Sequence, residues 1–369
     1  MDNRLIMKKL LTLASATALA VSCTAGPETL TLLIGTYTQD ARPSDNRGVF
    51  LYSLDTKSLD AAPLGVAVCG NPSFVIQARD GKTAYAVNEF NDGRQGVSSY
   101  TFGPEGITLV SQAGIPQGGE DPCNILYTGE AIVTSNYTGG SISVFAINED
   151  GSIGSLTQTW APDLPGTAHI HSAAISPDAK YIFAADLGND CIHRFQRLDG
   201  PKPLGDNTIA WCNTDTLKFG PRHFCFSADG RHAYLLCELG DKLVCFDYDD
   251  GALTPTQTLT AYQGEGHGSA DIHLSPDGKY LYTSHRLKED GVAVFSVDAA
   301  SGLATPVSYQ PTGIHPRNFT ITPDGKFLLC ACRDSDSIEI YAIDPATGVL
   351  SPTGKSIEVP APVCVQVVR

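Results

Sequence analysis

Methionine occurs only at positions 1 and 7, tryptophan only twice, and charged residues make up just 18% of the 369-residue chain. Basic residues are the scarcer sign, with 25 Lys and Arg against 40 Asp and Glu, a formal charge of −15. Nucleic-acid binding requires a basic face, so this balance argues against such a partner. No Cys-x-x-Cys pair exists among the eleven cysteines, which leaves a zinc ribbon or a thioredoxin-like centre without support. No Gly-x-Ser-x-Gly elbow, Gly-rich phosphate loop or dinucleotide fingerprint is present either. Beyond the first 25 residues, no run is long and apolar enough to span a bilayer.

What is plentiful points to strands. Hydrophobic residues reach 42%, and Gly (36) and Pro (23) punctuate many short apolar runs, the composition of an all-β protein. The N-terminus instead reads as a targeting segment: Lys8 and Lys9 precede a short apolar stretch, Leu10 to Val21, too short for a stable transmembrane helix. Residues 1–25 are expected to be a signal peptide and 26–369 the folded domain. Leu19-Ala-Val-Ser-Cys23 resembles a bacterial lipoprotein box, which makes Cys23 a candidate lipidation site. Ordinary cleavage nearby is the alternative, and Met7 is a second candidate start. Most other cysteines, such as Cys225, Cys237, Cys245, Cys330 and Cys332, sit inside apolar β-like runs and are expected to be buried and unpaired.

One unit of about fifty residues repeats. Six segments share a first apolar strand, a tight turn, a second strand, a gap and a third strand. The turns are Asp80-Gly81, Thr128-Gly129, Asp178-Ala179, Asp229-Gly230, Asp277-Gly278 and Asp324-Gly325. Asp-Gly between two β-like runs is a strong hairpin signal. A seventh unit is split between the termini. Thr31 to Tyr37 and Gly48 to Tyr52 read as its second and third strands. Its first strand is supplied by Ala361-Pro-Val-Cys-Val-Gln-Val-Val368, which matches Asn71-Pro-Ser-Phe-Val-Ile-Gln77. The expected fold is therefore a seven-bladed β-propeller whose first blade is closed by the C-terminal strand.

Counting from each turn identifies residues that share one mouth of the central channel, because a hairpin places the start of its first strand beside the end of its second. Seven residues before the turn stand Ser73, Asp121, His171, Arg222, Ala270 and Arg317, and nine before it Asn71, Gly119, His169, Gly220, Gly268 and His315. Eight or nine after it stand Asn88, Glu89, Asn136, Asp186, Glu238, His285, Arg286 and Arg333. Arginines, histidines and carboxylates thus converge on a funnel that is expected to be solvated, so that Arg222→Ala would hardly affect stability. Charges at the ends of apolar strands are costly unless paired or used. For Arg333 and Asp186 the structural reading is preferred, and for His171, Arg222, Glu238 and Arg286 the functional one. His169 and His171, two apart in a strand, could chelate a metal, but no third ligand is dictated. A catalytic or substrate-binding role is preferred over a metal-binding or a structural one.

The same residues carry a family resemblance. Ile34-Gly-Thr-Tyr37, Asn71-Pro-Ser73, Ala86-Val-Asn-Glu89, His169-Ile-His-Ser172, Gly220-Pro-Arg-His223, Glu238, Ser284-His-Arg286 and His315-Pro-Arg-Asn-Phe319 run through nearly all of the chain after residue 25. They resemble the propeller lactonase family that includes 6-phosphogluconolactonase and the fungal 3-carboxy-muconate cyclase. The resemblance implies a catalytic set of His171, Arg222, Glu238 and Arg286, with no metal or organic cofactor. His169, His223, His285, His315, Arg317 and Glu89 are the candidate substrate-binding residues around it.

A lactone needs a base to activate water and a positive group where oxyanion charge develops. His171 or Glu238 could serve as base, with Arg222 and Arg286 as the cations. The expected activity is hydrolysis of a small anionic sugar lactone, and the expected location is the cell envelope, with membrane attachment only through a lipid on Cys23. The alternatives are a muconolactone-type cycloisomerase using the same four residues, and a non-enzymatic propeller that binds a ligand or partner on one face.

Overall fold

The hairpin turns set the repeat. In Ser176-Pro-Asp-Ala179, the Ser176 hydroxyl donates to Asp178 Oδ1 at 2.5 Å and the Lys180 N–H to the same oxygen at 3.1 Å. The next residue must take a positive φ, which is 70° at Gly230 and 58° at Ala179, where a Cβ makes that conformation costlier.

The computed structural model describes residues 29–38 and 47–368. The expected signal peptide, residues 1–25, and the candidate lipidation site Cys23 lie outside them. The described strands form seven four-stranded antiparallel sheets. The first strands of the blades stand beside one another around the axis, and the strand Pro362–Val367 lies between those of the seventh and second blades. That C-terminal strand pairs with Thr29–Thr36, Leu32 facing Val367 and Gly35 facing Cys364. Blade one is thus sewn from both ends of the chain, as its complementary termini predict. The only helical piece among the described residues is a 3₁₀ turn at Arg333–Ser335.

The core lies between blades. Leu32, Ile34 and Val365 of the first blade pack on Leu329, Ala331 and Ile340 of the seventh. Ala131 and Val133 of the third meet Ile182 and Ala184 of the fourth. Fully burying such a Val, Leu or Ile side chain contributes about 1.5–3 kcal/mol, and the pattern continues around the ring, so each blade depends on both neighbours.

The cysteines follow the expectation with one correction. Eight described cysteines are free, and six of these are buried. Cys191 and Cys212, however, form a disulfide between the third and fourth strands of the fourth blade. Strand pairing sets Cys191 directly opposite Cys212, a juxtaposition that an apolar pattern does not reveal.

A candidate active site at one mouth of the channel

The mouth is built from two positions per blade. One is a β-bulge. In the fourth blade Ile170 faces Asp186 and Ser172 faces Ala185, so His171 between them has no ladder partner. The same skip isolates Arg222 between Pro221 and His223, Arg317 between Pro316 and Asn318, and Cys123 between Pro122 and Asn124. A bulge frees one residue from the alternation of the strand and re-aims its side chain. The other position is the residue just after each second strand. Its N–H donates to the residue that precedes the first strand: Glu89 to Asn71, Glu238 to Gly220, Arg286 to Gly268, Tyr137 to Asp121 and Tyr37 to Ala361, at 2.8–3.2 Å.

These positions assemble a hydrogen-bonded group across the fourth to sixth blades. Arg222 donates from Nε to Glu238 Oε2 at 2.8 Å and from Nη1 to the Ala270 carbonyl. Arg286 donates from Nη2 to Glu238 Oε1 at 2.9 Å and from Nε to the Gly268 carbonyl at 3.0 Å, with Nη1 3.4 Å from His315 Nε2. His171 Nε2 stands 3.9 Å from Glu238 Oε2, and its Nδ1 lies 3.8 Å from Cys123 Sγ. Arg222 is 1% exposed, whereas the Glu238 side chain keeps 21% of its surface open. The expected solvated Arg222 is therefore wrong. It is a buried, fixed cation, because the bulge turns it inward beneath Glu238.

Electrostatics divide the roles. Burial opposes ionisation of Glu238, but Arg286, Arg222 and Arg317 outweigh it and hold the carboxyl below its usual range. Burial, then the positive charge of Arg222, with His223, Arg317 and Arg286 adding to it, holds His171 well below the ordinary imidazole value. His171 is thus neutral at neutral pH. Burial also pushes Arg286 down to about 9 against the pull of Glu238, which leaves it charged there.

Of the other expected mouth residues, Glu89 and Arg317 face the opening from across the channel, Arg317 Nη2 3.7 Å from Glu89 Oε2. His169 stacks on Tyr137 at 4.5 Å while His171 meets the same ring edge-on at 5.6 Å. The two imidazoles therefore do not chelate together. Among the described residues no three His, Cys, Asp or Glu side chains gather as a metal-holding group.

His285 is not part of the cluster. It is fully buried, its Nδ1 2.9 Å from the Ser269 hydroxyl and its Nε2 2.8 Å from that of Thr283, and it stacks on Tyr262. Adjacent strand residues point to opposite faces, so with Arg286 in the mouth His285 faces the neighbouring sheet. His223 belongs to a belt one step below the bulges. Its Nδ1 is 2.6 Å from Asp271 Oδ1, Asp271 accepts the Phe319 N–H at 3.2 Å, and Asn318 accepts that of Val365 at 2.8 Å. The belt stitches one blade to the next. His223 still touches the site, its ring 5.4 Å from that of His171.

Counting from the turns missed three mouth residues. The Thr128 turn is two residues shorter than the others: the Thr128 N–H donates to Ala131, where that of Ser176 donates to Tyr181. The upstream count therefore slips, and Cys123, not Asp121, is the equivalent of His171. Tyr137 was passed over beside Asn136. Tyr37 escaped because no turn joins its two innermost strands.

Seven blades around a channel, with two buried arginines bridged by a partly open glutamate beside a neutral histidine at one mouth, place the chain among propeller enzymes. Residues 31–367 match the family described as lactonase, 7-bladed β-propeller, and the chain belongs to that family, which makes it a lactone hydrolase by class. It is 34% identical over 341 residues to a 6-phosphogluconolactonase of Formosa agariphila, covering 86% of this chain and 94% of the other. A Bacteroides uniformis structure provisionally assigned as a 6-phosphogluconolactonase superposes with a TM-score of 0.87 at 43% identity, covering 93% of this chain and all of that one. The periplasmic gluconolactonase of Pseudomonas aeruginosa gives 0.82 at 31% identity, covering 92% and 99%.

Proposed function

We propose that this mouth hydrolyses a sugar lactone, with His171 as general base, Glu238 as the anion that fixes the arginines, and Arg222 with Arg286 as the cations that meet the developing oxyanion. The observation that carries this reading is the bridge of Glu238 between Arg222 Nε and Arg286 Nη2, with His171 3.9 Å from one of its oxygens.

Glu238 takes one bond from each arginine and the Ala270 and Gly268 carbonyls take another, so both guanidinium groups are held fixed beside the opening. A water between His171 and the lactone carbonyl gives its proton to the imidazole as its oxygen bonds to the carbonyl carbon. The imidazolium so formed lies beside Glu238, which stabilises it. Charge gathers on the carbonyl oxygen, where preorganised cations act at little reorganisation cost. The ring C–O bond then breaks, the ring oxygen takes the proton from His171, and the product acid ionises to carboxylate and one released proton.

We further propose export to the cell envelope. The Lys8 to Cys23 segment motivates it, and the Cys191–Cys212 disulfide fits an oxidising compartment. Radiolabelled fatty acid should be incorporated by the full-length chain and not by its Cys23→Ser variant. A pH-stat assay of purified protein against a panel of sugar lactones tests the activity itself. Proton release above the spontaneous rate is expected, and no acceleration of any lactone would contradict the reading.

A further inference from the structure

Three guanidinium groups share the mouth, but they are not engaged alike. Arg222 and Arg286 are each hydrogen-bonded to Glu238 and to a backbone carbonyl. Arg317 makes no hydrogen bond among the described residues. Its ion-pair partner Glu89 stands off, Oε2 3.7 Å from Nη2, and its guanidinium lies over the Tyr37 ring, 5.3 Å from the centroid. Glu89 cannot close that gap without giving up other bonds. The Tyr37 hydroxyl donates to its Oε1 at 2.7 Å and the Ser73 hydroxyl to its Oε2. Glu89 therefore balances the charge of Arg317 without filling its donors.

An arginine presents five N–H donors in a fixed fork. The Arg317 side chain is only 15% exposed, so bulk water serves those donors poorly. An ion pair kept only for stability would be expected to close to hydrogen-bond distance, as Arg222 and Glu238 do at 2.8 Å. The bulge aims Arg317 into the channel mouth, and it enters from the seventh blade, three blades away from His171 in the fourth.

We propose that Arg317 is the receptor for an anionic group carried by the lactone, a phosphate or carboxylate at the end of the molecule remote from the carbonyl under attack. This rests on the lactonase reading of the mouth and adds a substrate class to it. The fork and a phosphate or carboxylate match in shape and charge, and the bond is made equally in ground and transition states. Arg317 is thus a binding group that sets specificity. It should act on KM and leave turnover to His171 and its neighbours.

The experiment compares three lactones, one phosphorylated (6-phosphoglucono-δ-lactone), one carboxylated (glucaro-1,4-lactone) and one uncharged (glucono-δ-lactone), on the wild type, Arg317→Ala and Arg317→Lys, each with its melting temperature. For the charged lactone that the wild type prefers, Arg317→Ala should raise KM by at least about tenfold, the scale of one lost charge-assisted contact, with kcat nearly kept. The uncharged lactone should be hardly affected, and Arg317→Lys should recover only part of the loss. Whichever charged lactone responds identifies phosphate or carboxylate as the group bound. Equal losses on charged and uncharged lactones, a loss confined to kcat, or a wild type without preference for charge would overturn the receptor. Calorimetry with 6-phosphogluconate and gluconate keeps the test independent of turnover. A wild type that hydrolyses no lactone yet binds 6-phosphogluconate through Arg317 sinks the lactonase reading and keeps the receptor, whereas binding untouched by Arg317→Ala sinks the receptor.

Discussion

His171 Nε2 lies 3.9 Å from Glu238 Oε2, so a neutral imidazole faces a carboxylate already held by two arginines. A base is active when unprotonated, and lowering its pKa extends the active form to lower pH. With His171 held well below 6.5 by burial and by Arg222, the acid limb of kcat/KM should fall well below that value, and the rate should be flat through neutrality. A limb centred at or above 6.5 in a pH series would assign the base elsewhere.

Arg222 should matter twice. Loss of its oxyanion contact should lower kcat by roughly a hundredfold or more. Because it is buried and paired, Arg222→Ala should also cost on the order of 3 kcal/mol by leaving Glu238 with an unmatched bond. Arg222→Lys should restore little activity, since a point charge does not reproduce the fork. Denaturant melts beside initial rates check both, and an active, fully stable alanine variant would contradict the bridge.

Thiol titration of denatured, unreduced protein should find the eight free cysteines of the propeller, plus Cys23 where it is retained and unmodified. Replacing Cys191 and Cys212 together by Ala should lower stability by about 3 kcal/mol, the scale for a loop of this length. A titration short by a further pair of thiols would reveal a second disulfide.

Ending the chain at residue 360 removes the strand Pro362–Val367 and exposes the edge of Thr29–Thr36. The first blade then keeps three strands and loses its inner contacts with the seventh and second. Aggregation or loss of the cooperative melt is expected. A truncated chain that melts like the full one would show that closure contributes little.

The blade count and the closing strand could be read from the sequence because each turn carries its own chemistry and the termini complement one another. The mouth was half legible. Counting from the turn aspartate finds His171, Arg222, Glu238, Arg286 and Arg317, since their blades share one turn length. It fails at Cys123, where the Thr128 turn is shorter, and at Tyr37, whose two innermost strands come from opposite ends of the chain. The bulge itself leaves no mark in the pattern, so the depth of Arg222 and the turning away of His285 could not be foreseen. The Cys191–Cys212 pair depends on strand register, which periodicity alone does not fix.

The most direct measurement sets one mouth of the channel against the other. His171→Gln and Arg79→Ala would be assayed together for lactone hydrolysis, each with its melting temperature. Arg79 is exposed and lines a cavity with Gln77, Thr320 and Gln366 at the turn end of the inner strands, outside the site described above. The expected result is a loss in kcat of about a hundredfold or more for His171→Gln, the usual contribution of a positioned base, with near wild-type rates for Arg79→Ala and similar melting temperatures for both. Retained activity in His171→Gln, or equal losses in the two variants, would contradict the placement of catalysis at the mouth that holds His171, Arg222, Glu238 and Arg286.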